Sequence, residues 1–139
     1  MEGVREQRIL LVNFNANLAQ SATSILESSN FIVHQTKSLE ASGRDTSIFF
    51  SAFIVDCSNC NHSYKSQIIP LKEKTRSPII AVVDHACTRK AELFLQGAND
   101  YITTPLIPEE ILVRIKSQIL ISVWDQQNEH DGSEKSKYP

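Results

Sequence analysis

The chain has 139 residues, of which 41% are hydrophobic and 22% charged, a composition that suits one globular domain and excludes a fully disordered chain. Its formal net charge is -2 and no dense block of Lys and Arg occurs, which argues against direct nucleic-acid binding. Three cysteines (Cys57, Cys60 and Cys87) do not make a secreted disulfide scaffold, and no apolar run has the length of a membrane span or signal peptide. We therefore expect a cytoplasmic protein with reduced thiols and no membrane contact.

Short apolar runs alternate along the chain with segments of helical period. Several runs lack polar alternation, as is typical of strands that are covered on both faces. The predicted strands are residues 9–12, 31–34, 52–55, 79–83 and 101–103. This alternation predicts an α/β fold with a doubly wound parallel sheet, in which functional residues lie at the carboxyl ends of the strands.

Helices are predicted between these strands. Pro70 lies in the middle of the helix that follows residue 62, so this helix should be kinked or start late. Gly97 is a suitable C-terminal cap for the helix before it. Apart from the Pro70 helix, the predicted helices are residues 18–28, 39–50, 88–96 and 108–124.

The last predicted helix has clear start signals. Pro108 opens it, and Glu109 and Glu110 lie in the first turn, where the helix dipole favours negative charge. Its predicted core-facing stripe consists of Ile111, Leu112, Ile115, Ile119 and Val123. From residue 125 the sequence DQQNEHDGSEKSKYP has no apolar periodicity. We therefore predict a domain over residues 1–124 and a disordered tail or linker over 125–139.

Three segments of the chain carry a family resemblance. In order and spacing, RILLVNFNANLAQSATSIL, AFIVD and SPIIAVVDHACTRKAELFLQGANDYITTPLIPEEILVRIKSQI resemble the response-regulator receiver domains of two-component signalling. The resemblance covers about residues 8–122 and is most specific over GANDYITTPLIPEEIL. It implies a flavodoxin-like three-layer αβα sandwich with five strands in the order 2-1-3-4-5, and a role in phosphorelay signal transduction.

The resemblance also assigns a site. In receivers an aspartate after strand three accepts a phosphoryl group, an acidic pair after strand one holds Mg²⁺, and a hydroxyl after strand four and a lysine after strand five bind the phosphoryl oxygens. Asp56 stands at the phosphoacceptor position. The acidic pair is replaced by Asn13 and Phe14, the hydroxyl by Val83 and the lysine by Thr104.

These replacements remove the metal ligands and the charges that phosphotransfer needs. An amide is a poor Mg²⁺ ligand and a phenyl ring is none. Loss of one preorganised donor typically costs about 3 kcal/mol of transition-state stabilisation. We therefore expect negligible phosphotransfer at Asp56, no enzymatic activity and weak or absent Mg²⁺ binding. The alternative is a weak phosphoacceptor that a dedicated kinase still phosphorylates on Asp56.

A degenerate site favours a role as a pseudo-receiver that acts through protein interaction. Tyr101 stands at the family's switch aromatic position, and Asp100 and Arg114 stand where dimerising receivers place an ion pair. With Lys90 they mark the face of the fourth helix, fifth strand and last helix, which receivers use to form homodimers or to dock an output partner. The partner would be a signalling protein or a covalently linked output domain. Alternatively, this face is an ordinary solvated surface and Tyr101 packs inward.

A second group of residues has the ligand types of a Zn²⁺ site. After the third strand come Cys57, Cys60 and His62, and after the fourth come His85 and Cys87. Neighbouring strands would bring these groups to one edge, as a metal or redox sensor requires. The alternative is that Cys57 fills the core and the histidines are solvated.

Overall fold

The computed structural model describes residues 6–37, 48–58, 64–87 and 90–131, with only the backbone described over 64–67 and 128–131. The described elements, in chain order, are β1 (Arg8–Val12), α1 (Ala16–Glu27), β2 (Ile32–Thr36), β3 (Ala52–Asp56), α2 (Tyr64–Lys74), β4 (Ile79–Asp84), α3 (Lys90–Gln96), β5 (Asp100–Thr104) and α4 (Pro108–Asp131). The helix predicted over 39–50 lies outside the described residues except for its last three, which are not helical.

The five strands form one parallel sheet in the order β2-β1-β3-β4-β5, which confirms the predicted fold class and strand order. Helices α1 and α4 pack on one face of the sheet and α2 and α3 on the other. The central strands β1, β3 and β4 are buried on both faces, which is why their sequences are continuous aliphatic runs. The fold is therefore a three-layer αβα sandwich.

Helix α1 begins two residues before its predicted start because Asn15 caps it. The Asn15 Oδ1 atom accepts a hydrogen bond from the Leu18 backbone N–H at 2.8 Å. At the other end, Asn30 adopts a left-handed conformation (φ 71°), and the Phe31 N–H donates to the Leu26 carbonyl. Phe31 is buried but precedes β2, so this strand begins one residue later than predicted and continues to Thr36.

Gly97 ends α3 as predicted. It has a φ of 126°, a conformation that side chains rarely adopt. The Ala98 N–H donates to the Leu93 carbonyl across the helix end at 3.0 Å. A Cβ atom on Gly97 would lie 2.9 Å from Lys72 Cγ, so the turn also brings α3 close to α2.

Helix α4 differs from its prediction in two respects. Ile111, Ile115 and Ile119 are buried as predicted, but Val123 is 44% exposed, so its assignment to the core stripe was wrong. The helix also continues beyond the predicted end at residue 124 to Asp131. Neither Pro nor Gly interrupts residues 125–131, and a polar sequence extends an existing helix even without a core to cover. Residues 132–139 lie outside the described part of the chain.

Among the described residues, no helix combines the length and the apolar character that crossing a membrane requires.

Candidate functional site

Four strands place their last residues along the carboxyl edge of the sheet. Asn13 follows β1, Asp56 ends β3, Asp84 ends β4 and Thr104 ends β5. Asp84 and Thr104 are register partners, whereas Asp56 is aligned with Val82, two residues before Asp84 on β4. The fold therefore brings the predicted site positions to one edge, as parallel topology requires.

Asn13 connects the first two strands to Asp56 through hydrogen bonds. Its backbone has a φ of 68°, a left-handed conformation that Asn tolerates better than most residues. Its N–H donates to the Thr36 carbonyl at 2.9 Å, and its Nδ2 donates to the backbone carbonyl of Asp56 at 3.3 Å. The amide of Asn13 thus supports the backbone at this edge through its donor group, a role that a carboxylate has no N–H to perform.

Asp56 is partly buried, and its carboxylate is held by the chain that follows it. The Ser58 N–H donates to Asp56 Oδ1 at 2.9 Å, and the Cys57 N–H donates to the Val82 carbonyl at 2.7 Å. Within the described residues, no Lys or Arg forms a salt bridge with this carboxylate. In the described part of the chain, this carboxylate is therefore oriented by a backbone hydrogen bond and is not paired with a cation.

Phe14 and Val83 belong to the hydrophobic core. Phe14 is 9% exposed and packs in the cluster between the sheet and helices α1 and α4, where Leu106 borders it. Val83 is 1% exposed and packs in the cluster on the opposite face, with residues of α2 and α3. Both residues that the resemblance assigns to site positions are thus packing groups of the core. Thr104 is half-buried and precedes a cis peptide bond to Pro105.

The predicted cysteine and histidine group is only partly described. Cys57 is buried and Cys87 half-buried, whereas the His85 side chain is 76% exposed and its Nδ1 lies 3.2 Å from Asp84 Oδ1. Cys60 and His62 lie outside the described residues. Within the part that the structure describes, no three His, Cys, Asp or Glu side chains are arranged to hold a metal ion. Cys57 has the burial expected of a core residue.

Tyr101 lies at the centre of a second group, which we call the Tyr101 face. Its ring meets the Phe94 ring edge to face at 5.9 Å between centroids. Lys90 Nζ lies 5.1 Å and Arg114 Cζ 5.8 Å from the centroid of the same tyrosine ring, distances at which cations are attracted to the ring electrons. Tyr101 remains partly exposed, so it is held between charged side chains rather than packed fully inward.

Arg114 links α4 to β5 on this face. Its Nη1 donates to Asp100 Oδ1 at 2.8 Å, and its Nε donates to Glu110 Oε2 at 3.3 Å. The Asp100 carboxylate also accepts from the Tyr101 N–H at 2.8 Å. The predicted pair of Asp100 and Arg114 therefore forms, but within one chain. Both charges thus link β5 to α4 within the chain.

The sequence prediction missed the outer side of α4, away from the sheet. Three apolar side chains there are more than half exposed: Val113 at 66%, Leu120 at 55% and Trp124 at 61%. Their spacing of seven and then four residues is itself a helical period and was the available signal. Helix α4 thus has an apolar stripe on each of two sides.

Comparison with known proteins agrees with the fold. No protein-family model and no curated protein matches the sequence. A CheY-like response regulator receiver domain protein from Methanospirillum hungatei is 21% identical, with a TM-score of 0.74 over 87% of this chain and 99% of that one. The beryllofluoride-activated NtrC4 receiver domain dimer is 23% identical, with a TM-score of 0.71 over 83% of this chain and 98% of that one.

NtrX from Brucella abortus, solved in complex with ADP, is 13% identical and has a TM-score of 0.77. The match covers 91% of this chain but 29% of the NtrX chain, so the fold also occurs as one part of a longer protein. Strand order, helix placement and these three structures agree, and the chain has the fold of response-regulator receiver domains.

Proposed function

We propose that this chain is a pseudo-receiver: a receiver-type signalling module that has lost phosphotransfer and acts through protein interaction. It would accept no phosphoryl group at Asp56 at a useful rate, perform no catalysis and bind Mg²⁺ weakly or not at all. Its place would be in two-component or phosphorelay signalling, where a receiver fold carries a signal through its surface.

The observation that carries this proposal is the burial of Phe14 and Val83 at the edge where phosphotransfer chemistry would occur. Phosphoryl transfer to a carboxylate depends almost entirely on positioning and on stabilisation of negative charge. Within the described residues, the Asp56 carboxylate forms no salt bridge with Lys or Arg, and the hydrogen bond that it accepts comes from the Ser58 backbone N–H and not from a hydroxyl. Each missing donor costs about 3 kcal/mol of transition-state stabilisation, so three losses together would abolish a useful rate.

A partner would be recognised by surface rather than by phosphate. In an active receiver, phosphorylation biases an equilibrium between two states that involves the hydroxyl after strand four and the aromatic switch. Val83 has no group to respond with, and Tyr101 already interacts with Lys90 and Arg114. The module would therefore stay in one state, or change state when a signalling partner or a linked output domain binds.

The test is phosphorylation with a small-molecule donor. The full chain is incubated with acetyl phosphate and Mg²⁺ beside an active receiver, and intact mass is measured. We expect a phosphate adduct on the active receiver and none on this protein. Asp56→Asn and Asp84→Asn are run in parallel, because both acids lie at the carboxyl edge of the sheet.

A single adduct that disappears in Asp56→Asn and persists in Asp84→Asn would overturn the proposal and establish a working phosphoacceptor. An adduct that survives both substitutions would be non-specific acylation or phosphorylation elsewhere and would leave Asp56 without a phosphoacceptor role, as proposed.

A further inference from the structure

Helix α3 is anchored to the core by a single buried side chain. It has seven residues, Lys90–Gln96, of which Leu93 alone is buried, whereas α1 and α4 each bury three residues. Phe94 and Leu95 are 44% and 86% exposed. A helix of this length is marginal by itself, and a segment with few buried contacts opens at a low free energy. The position of α3 therefore depends on contacts at its surface.

Tyr101 supplies such contacts from β5. It packs against the hydrophobic cluster that includes Leu93, and its ring meets the Phe94 ring edge to face at 5.9 Å between centroids. Lys90, one turn before Phe94 on the same helix, holds its Nζ atom 5.1 Å from the centre of the tyrosine ring. Within the described residues, Lys90 forms no salt bridge. Two residues of α3 thus contact one side chain of β5.

Arg114 reaches the same ring from α4. Its Cζ atom lies 5.8 Å from the centre of the Tyr101 ring. Its Nη1 donates to the Asp100 carboxylate, and that carboxylate also accepts the hydrogen bond of the Tyr101 N–H. One guanidinium group therefore holds both the ring and the backbone of Tyr101 to α4.

We propose that Lys90, Tyr101 and Arg114 form an ionic clamp that joins α3 to β5 and α4. Two cations attracted to one aromatic ring fix the three elements of the Tyr101 face relative to one another. The clamp weakens when salt screens the two cations, which are only partly buried. This inference goes beyond the proposed function, because none of these contacts involves Asp56 or the carboxyl edge of the sheet.

The test measures local opening of α3 by amide hydrogen exchange and mass spectrometry on the full chain. Lys90→Met keeps the length of the side chain and removes its charge. At low ionic strength we expect the α3 amides to exchange about two to five times faster, the change that corresponds to loss of an exposed cation–π contact. Exchange over β1 should stay the same, because the clamp holds α3 locally. Lys90→Arg keeps a cation over the ring and should retain the protection.

Lys74→Met is the matched control for the loss of a positive charge. Lys74 is exposed in the last turn of α2, which packs on the same face of the sheet as α3. Among the described residues, the cations at the Tyr101 ring are Lys90 and Arg114. Lys74→Met should therefore leave α3 exchange unchanged.

Salt and a second substitution separate the clamp from ordinary packing. In the unsubstituted chain, about 1 M salt should accelerate α3 exchange, and it should have less effect in Lys90→Met, where one of the screened cations is absent. Tyr101→Leu should accelerate α3 exchange at least about fivefold, because it removes both the cation contacts and the ring contact with Phe94. Adding Lys90→Met to Tyr101→Leu should change nothing more, since the two residues act through one contact.

Arg114→Met tests whether the clamp extends to α4. Arg114 lies on another helix, yet its loss releases Tyr101 on one side, so we expect α3 exchange to rise by about twofold. Unchanged α3 exchange in this variant would overturn the link between α3 and α4.

Unchanged α3 exchange in Lys90→Met would overturn the clamp itself. So would an equal acceleration in Lys74→Met, or an acceleration that extends equally over β1, because these results would indicate a general effect of charge or stability. An undiminished effect of Lys90→Met in the Tyr101→Leu background would also overturn it, since Lys90 would then not act through Tyr101. None of these results would alter the mass measurement on Asp56.

Discussion

The carboxyl edge of the sheet and the outer side of α4 both carry apolar side chains where polar groups would be expected, but these side chains are buried at the edge and exposed on the helix. At the edge, where a working receiver needs charge and water, Phe14 and Val83 are buried apolar groups. On α4, where a monomer needs only polar groups, Val113, Leu120 and Trp124 are exposed. Apolar side chains are thus buried at the carboxyl edge and exposed on the outer side of α4, and this contrast supports the proposed function.

The largest expected effect tests whether the edge is packed. Phe14→Ala removes a ring that is 9% exposed, and we expect the free energy of unfolding in urea to fall by about 3 to 4 kcal/mol. Phe94→Ala is the matched control, because Phe94 is 44% exposed on α3 and should lose about 1 kcal/mol. Equal losses would show that Phe14 is no more a core residue than Phe94, and the contrast between the two regions would fail.

Much of this fold could be predicted from the sequence because buried strands leave a clear pattern. Strands β3 and β4 are predicted to within one residue, since covering on both faces requires continuous apolar runs. The start of α1 was missed because Asn15, the cap, is one of three asparagines at alternate positions (Asn13, Asn15 and Asn17), and the helical period of apolar residues begins only at Leu18. The boundary of β2 shifted because Phe31 is buried by its position after the helix and not by pairing.

The sequence predicted the positions of the candidate site residues, but it predicted less about the contacts that these residues make and about the surface of α4. The resemblance to receivers placed Asp56 and the four site positions that we predicted around it. It did not predict the hydrogen bond from Asn13 to the Asp56 carbonyl, which depends on a left-handed backbone at Asn13. It placed Asp100 and Arg114 in an ion pair, but not within one chain. The exposed apolar residues of α4 were not predicted, because the helical period was used only to find the side of the helix that faces the core.

A smaller effect should follow from introducing a hydroxyl into β4. Val83→Thr preserves shape but places a hydroxyl at a side chain that is 1% exposed, and we expect a loss of about 1 to 2 kcal/mol in unfolding free energy. Val113→Thr makes the same change at 66% exposure and should cost less than about 0.5 kcal/mol. A Val83→Thr variant as stable as the parent would indicate an open, hydrated edge.

A substitution on the Tyr101 face should reduce stability less, and the size of this loss should depend on salt concentration. Arg114→Ala removes the ion pairs with Asp100 and Glu110 and one cation beside Tyr101, and we expect a loss of about 1 kcal/mol at low ionic strength. Because the Arg114 side chain is 36% exposed, about 1 M salt should reduce this loss. Lys116→Ala, on the same helix, is the control and should change stability by less than about 0.5 kcal/mol at either salt concentration. A loss independent of salt would assign the role of Arg114 to packing.

The smallest expected effect is at Asp56 itself. Asp56→Asn keeps a side-chain oxygen that can accept the Ser58 N–H, so unfolding free energy should change by less than about 0.5 kcal/mol. A bound cation would add a second effect, since a ligand at ten times its dissociation constant stabilises the folded state by about 1.4 kcal/mol. Thermal melting of the unsubstituted chain and of Asp56→Asn, each with and without millimolar Mg²⁺, separates the two contributions. If Mg²⁺ raised the melting temperature of the unsubstituted chain alone, Asp56 would be a metal ligand and the edge would retain part of its receiver chemistry. We expect four indistinguishable melting curves, because a carboxylate without an acidic pair beside it does not hold a strongly hydrated ion.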